Sequence, residues 1–166
     1  MTQIAKSHGF ISKSFHWLTA GLLAYGYATG LDDVSELADP AMFQFEITFA
    51  LILGAAFVAR LLWFKGVAGS SRLPDSAPRW EHGISKLVHH GLYACVFTIV
   101  VSGLAIALGY AVPLLSGLFL TAMIGLHEVV LSLTVVLFLA HIAGALWHKF
   151  IRHDGVLESM TGQLPV

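Results

Sequence analysis

The sequence predicts an all-α membrane protein, a four-transmembrane-helix bundle with both termini cytoplasmic, and three observations carry that prediction. The chain has 166 residues, 57% of them hydrophobic and only 11% charged, with a mean hydropathy of +0.78, outside the range of soluble domains. Its apolar residues gather in four long stretches, near residues 11–30, 42–64, 86–110 and 125–149. Each reaches the roughly 20 residues that a helix needs to cross a hydrocarbon core. The lysines and arginines fall at the N-terminus (Lys6, Lys13), in or beside the second connection (Arg60, Lys65, Arg72, Arg79, Lys86), or at the C-terminal end (Lys149, Arg152). By the positive-inside rule both termini and the middle loop are therefore cytoplasmic.

The elements follow in chain order. The first stretch is long, carries His16 and lacks a clear small-residue cleavage site, so it is expected to stay as a helix rather than be removed as a signal peptide. Pro40 and the acids Asp32, Asp33, Glu36 and Asp39 mark an external loop over 31–41, before the second helix. Residues 66–78, with Ser70, Ser71, Pro74 and Pro78, read as the cytoplasmic loop, and 80–86 lead into the third helix. The segment 111–124 is apolar but broken by Pro113 and Gly117, which predicts an interfacial or partly re-entrant connection before the fourth helix. No linker, repeat or low-complexity tract divides the chain, so 1–166 is expected to form one membrane domain. Small residues recur at Ala20, Gly21 and Ala24, at Ala50 and Gly54, and at Ala143, Gly144 and Ala145. They permit close helix packing and also leave room for a flat macrocycle. The single cysteine, Cys95, has no partner for a disulfide or thiolate cluster within the chain and reads as a small core residue. A formal charge of −1 and the lack of a Gly-rich phosphate loop or dinucleotide fingerprint give no sign of nucleic acid or soluble nucleotide cofactors.

The histidines carry the chemistry. An imidazole at membrane depth is costly unless it has a partner, a proton path or a cofactor to serve. His16 opens the first apolar stretch, and His141 lies inside the apolar run 129–147. Two neutral imidazoles on different helices are what the two faces of a b-type haem require. At about 100° per residue, His127, His141 and His148 share one side of the fourth helix, and at about 1.5 Å per residue His127 and His141 stand about 21 Å apart along it. Both His16 and His141 lie in the cytoplasmic half, so they are the expected axial pair. His16 is only three residues past Lys13 while His141 is eight before Lys149, so helix tilt and snorkelling of Lys13 must close the difference in depth. His127 needs a partner on the second helix, which offers Glu46, Met42 and Gln44 there and no histidine. The two readings are a second haem at His127 or a polar pair between His127 and Glu46. His89 and His148 are at a depth suited to a cytoplasmic quinone site, the alternative for His89 and His90 being interfacial histidines. Arg60 suits a haem propionate or a lipid phosphate, and His8, His82 and His153 are expected in solvent.

This pattern resembles the bacterial cytochrome b561 family of four-helix inner-membrane b-type cytochromes. The resemblance rests on His16-Trp17, on Arg60-Leu61-Leu62-Trp63, and on His89 four residues before Tyr93 with Gly103-Leu104 ten beyond. On the fourth helix it rests on Leu126-His127-Glu128, Ala140-His141 and Trp147-His148. It implies a haem b whose iron is held at the positions of His16 and His141. It implies a second haem held at the position of His127 and by a histidine fourteen residues before the arginine, where this chain has Glu46. The resemblance further implies electron exchange with the quinone pool, ubiquinone among the candidates, and in some relatives oxidation of superoxide at the periplasmic face. The acids of the external loop would repel that anion. The expected function is therefore a membrane-bound, quinone-linked electron-transfer protein with one haem b, a second being left open. A haem-bearing anchor for a periplasmic redox protein docking on the acidic loop is the alternative, and a proton or metal transporter using Glu46 and His127 a third reading. Membrane lipid, quinone and a second copy of the chain in a homodimer complete the expected partners.

Overall fold

The computed structural model describes residues 9–31, 33–68, 73–74 and 77–162. Lys6, His8, Asp32, Ser70, Ser71 and Arg72 lie outside the described residues. The chain forms four long helices, α1 (Phe10–Thr29), α2 (Pro40–Trp63), α3 (Arg79–Ala111) and α4 (Leu118–Trp147), followed by a short α5 (Val156–Thr161). Short 3-10 turns at Val34–Ala38 and Pro113–Leu115 and single π turns at Phe64–Ala68 and His148–Arg152 join or extend them. The result is an all-α membrane helical bundle.

The acids of the first connection have structural work. Asp33 caps the turn that follows it: the Ser35 amide donates to its carboxylate at 2.7 Å, and the Asp33 amide donates to Glu36 Oε1 at 3.1 Å. Hydrogen bonds from the Ser35 side chain and backbone hold the Asp33 carboxyl below the usual carboxylate range. Asp39 starts α2, accepting from the Ala41 amide at 2.8 Å, with Pro40 in the first turn where a missing N–H costs nothing.

Two helices are longer than the apolar runs that announce them. α3 begins at Arg79 rather than near 86 and has 33 residues, about 50 Å at the usual rise, because Pro78 sets its start and residues 80–86, with Glu81, His82, Ser85 and Lys86 among them, continue the helix beyond the apolar slab. α4 begins at Leu118, so the second half of the segment expected to be re-entrant is its first two turns. Pro113 and Gly117 break the chain only locally, and nothing from Leu118 onward opposes a helix. By length and composition three helical segments are able to cross a membrane, Pro40–Gly66, Arg79–Ala111 and Leu118–Arg152. α1 is the fourth long helix and falls short of that hydropathy because Ser12, Lys13, Ser14, His16 and Thr19 dilute its first half.

Backbone packing runs α1 on α2, α2 on α3 and α3 on α4. Cys95 and Ile99 of α3 pack with Val130 of α4, with Leu131 and Leu137 against them, which confirms Cys95 as a core residue. Neighbouring helices touch at glycine: a Cβ at Gly91 would meet Leu137 Cδ1 at 2.9 Å, and one at Gly54 would meet Val100 Cγ1 at 3.1 Å. Of the 30 residues of α4 only Val130 is buried, so α4 packs along one side on α3 and leaves its other side open. Gly91→Leu forces the α3–α4 contact apart, an overpacking cost of about 1–3 kcal/mol. The expected reading is an unfolding midpoint several degrees lower in detergent, whereas Gly83→Leu, where a Cβ meets nothing, leaves it unchanged.

Candidate functional site

Imidazoles from three helices converge near the end of the bundle that carries Arg60, Lys65 and Lys149. The face of α1 bearing Ser12, Phe15, His16 and Thr19 turns toward α2, where Trp63 Nε1–H donates to Ser12 Oγ at 3.0 Å and Phe15 meets the Trp63 ring at 6.2 Å. That contact directs His16 across the bundle toward His141 of α4, with ring centroids 6.1 Å apart and planes 50° apart. Two imidazoles on opposite sides of one metal ion, each nitrogen about 2 Å away, place their ring centres about 6 Å apart. The pair chosen from depth in the sequence thus has the separation of an axial pair. His89 of α3 meets His141 edge-on at 5.0 Å, too close for an ion between those two rings. Its Nδ1–H donates to the Ser85 carbonyl at 2.6 Å, which leaves Nε2 as an acceptor.

Arg60 of α2 completes the group. Nη1 donates to Thr19 Oγ1 at 2.7 Å and Nη2 to His16 Nδ1 at 3.1 Å, while the guanidinium lies 5.6 Å from the Tyr93 ring centre and 5.7 Å from that of Phe64. Thr19 can accept because its own proton goes to the Phe15 carbonyl at 2.8 Å. Among the described residues no carboxylate pairs with Arg60, and its Nε is buried without a hydrogen-bond partner. A guanidinium at such a site calls for an anion. Together the imidazole spacing, the orphaned Nε and the sparsely packed α4 fit a haem whose propionate reaches Arg60. A guanidinium only donates, so His16 Nδ1 accepts here. Ligation through Nε2 therefore needs the tautomer with Nδ1–H, with Arg60 turned to another acceptor.

His127 has a different setting, nearer the acidic end. Ser102 Oγ donates to the Thr98 carbonyl at 2.6 Å, so its oxygen accepts the His127 Nδ1–H at 2.8 Å. This holds one tautomer and leaves Nε2 with its lone pair. Gly103 packs beside the ring, where a Cβ would lie in ordinary contact 3.5 Å from His127 Cε1. The polar partner of His127 is thus Ser102, and no hydrogen bond joins it to Glu46 among the described residues. Glu46 Oε1 is buried and has no hydrogen-bond partner. Nothing in the spacing of a single sequence marks a serine on another helix as the partner of His127.

His148 and His89, grouped by depth in the sequence, have separate partners. His148 is buried in the π turn after α4, with Nδ1 2.7 Å from Asp154 Oδ2. Left-handed backbone at His153 (φ 52°) and Gly155 (φ 75°) reverses the chain and brings Asp154 back. An ion pair from Lys149 to Glu158 (3.8 Å) holds α5 against the π turn after α4, and one from Arg152 to Glu81 (3.6 Å) ties that turn to the start of α3. Asp154 lies beyond the apolar runs, and nothing in the sequence pattern pairs it with His148.

The model of the prokaryotic cytochrome b561 family matches residues 7–163 of this chain. Comparison with curated proteins and with solved structures gives no match.

Ser102→Ala strands the His127 N–H and is expected to cost about 1–3 kcal/mol, measured as a lowered unfolding midpoint. Ser116→Ala, which removes only an exposed bond to the Pro113 carbonyl, is expected to leave the midpoint unchanged.

Proposed function

Because the chain belongs to the prokaryotic cytochrome b561 family of membrane b-haem electron-transfer proteins, we propose that it exchanges electrons with the quinone pool through a haem b held between His16 and His141. The observation that supports this most directly is the 6.1 Å separation of those two rings across the bundle. The haem, when bound, supplies one-electron transfer. The side chains do the rest. His16 and His141 present neutral nitrogens from α1 and α4, and Arg60 provides the positive charge that a propionate needs at membrane depth. Thr19 steers the guanidinium and Ser12 fixes the tilt of α1 through Trp63.

His89 is the proposed quinone-facing residue. With Nδ1–H committed to Ser85, its Nε2 is placed to accept a proton from a quinol hydroxyl, in edge contact with the His141 ligand. The charge distribution supports placement in a bacterial inner membrane with both termini cytoplasmic, so the site faces the cytoplasmic half. The capped acidic turn at Asp33 and Glu36 disfavours superoxide as the external reactant.

Purified protein is expected to show a low-spin b-type spectrum that is lost in both His16→Ala and His141→Ala. His89→Ala keeps that spectrum and slows its reduction by quinol. A low-spin spectrum surviving in both ligand variants contradicts the proposal. Arg60→Met is expected to lose haem to an apoprotein acceptor about 10–100-fold faster, the scale of a charged hydrogen bond.

A further inference from the structure

α4 turns its histidines and its α3 contacts to one side, and its opposite side repeats with heptad spacing. Gly125, Glu128 and Ser132 lead on to Val135, Leu139, Ile142 and Leu146, in alternating steps of three and four residues. At about 100° per residue each of them points about 100–160° away from His127 or His141. Glu128 and Ser132 are exposed, and so are Leu139 (60%), Ile142 (39%) and Leu146 (42%). A group held by His141 lies on the other side of the helix, so this seam is separate from the proposed haem site.

Lipid suits the inner half of the seam but not its outer half. Gly109 meets Leu120 near the outer end of the bundle, and Gly103 meets His127. Glu128 therefore stands eight residues of α4, about 12 Å, inside that end. A carboxyl at such depth normally faces a polar interior or a partner. Here it is exposed on the side away from α3, and it makes no hydrogen bond or ion pair among the described residues. Gly125, one turn nearer the outer end, is equally unaccounted for within the chain. A Cβ there would meet nothing within 4 Å, so packing on α3 does not call for a glycine, which weakens a helix relative to alanine. Ser132 Oγ donates to the Glu128 carbonyl at 3.0 Å, which leaves its oxygen able to accept.

We propose that this seam is the interface of a homodimer, in which two copies of α4 run parallel about a two-fold axis normal to the membrane. Heptad spacing is the pattern by which parallel helices interlock over several turns. The two-fold sets every residue at the depth of its own copy, so Glu128 meets Glu128 with Ser132 one turn further in. A carboxyl group that carries its proton both donates and accepts, so such a pair is self-complementary, and the Ser132 oxygens add acceptors on the same seam. Gly125 lets the two backbones approach closely at that level. A foreign helix would need a polar group at this one depth, whereas a second copy supplies it by symmetry. The interface goes beyond the proposed function and does not depend on it.

Oxidative cross-linking of the full chain in membranes, together with dilution of fluorescently labelled protein in liposomes, tests this. Leu139→Cys is expected to give a disulfide-linked dimer. Phe97→Cys, at an exposed position of α3 (62%), and the unaltered chain, whose Cys95 is buried, are expected to give none. Glu128→Leu is expected to weaken the dimer about 3–30-fold, the scale of an interhelical hydrogen bond in a membrane. Glu128→Gln, which also donates and accepts, retains the dimer. A chain that stays monomeric at high density in liposomes overturns the inference. So does a dimer linked through Phe97→Cys and not through Leu139→Cys, or one whose affinity is unchanged in Glu128→Leu.

Discussion

Arg60 sits at membrane depth among aromatic rings, bonded to a hydroxyl and an imidazole and to no carboxylate among the described residues. A charge so placed needs compensation, and a bundle without water has few means to provide it. Thr19 serves because its proton is spent on the Phe15 carbonyl, and His16 serves because its Nδ1 accepts from the guanidinium. The tilt of α1 follows, set by the Trp63–Ser12 bond three residues further along α2. With α1 so placed, His16 reaches His141, and the four helices become one site. The same constraint appears in milder form at His127 and His89, each of which gives its Nδ1–H to an oxygen on α3 and keeps Nε2 as an acceptor.

The open side of the bundle is the other half of the design. α1, α2 and α3 pack in sequence and α3 holds α4, yet α4 has only Val130 buried. A helix so sparsely covered gains little from burial within one chain, so its surroundings must come from lipid, from a prosthetic group or from a partner. Its histidines lie at two levels about 21 Å apart. At one level His141 meets the rings of His16 and His89, and at the other His127 meets the Ser102 hydroxyl. That inequality separates the two halves of the bundle chemically.

Much of this was legible in the sequence, for reasons that can be stated. Long apolar runs and the distribution of basic residues identify the helices, because the lack of water leaves helix as the main way to satisfy the backbone. His16 and His141 were identified as a pair because depth along two antiparallel helices is a one-dimensional argument. The starts of α3 and α4 lie outside the apolar runs because hydropathy is not helicity: residues 80–86 mix polar and apolar side chains and are helical, and Leu118 to Ile124 are helical despite the nearby Pro113 and Gly117. Side-chain partners were the least legible. Ser102 for His127, Ser85 for His89 and Asp154 for His148 depend on helix rotation or on a left-handed turn at His153, and spacing along one element does not fix those. His89 and His148, alike in depth, accordingly have different partners.

The central claim is that His16 and His141 share one iron. Near-infrared magnetic circular dichroism of the oxidised, purified protein tests it most directly, because the position of the charge-transfer band distinguishes two imidazole ligands from imidazole with thioether. The account predicts a bis-imidazole band that vanishes in His16→Ala while the protein remains folded in detergent. A band of the imidazole–thioether type, or a bis-imidazole band that survives in His16→Ala, would contradict it.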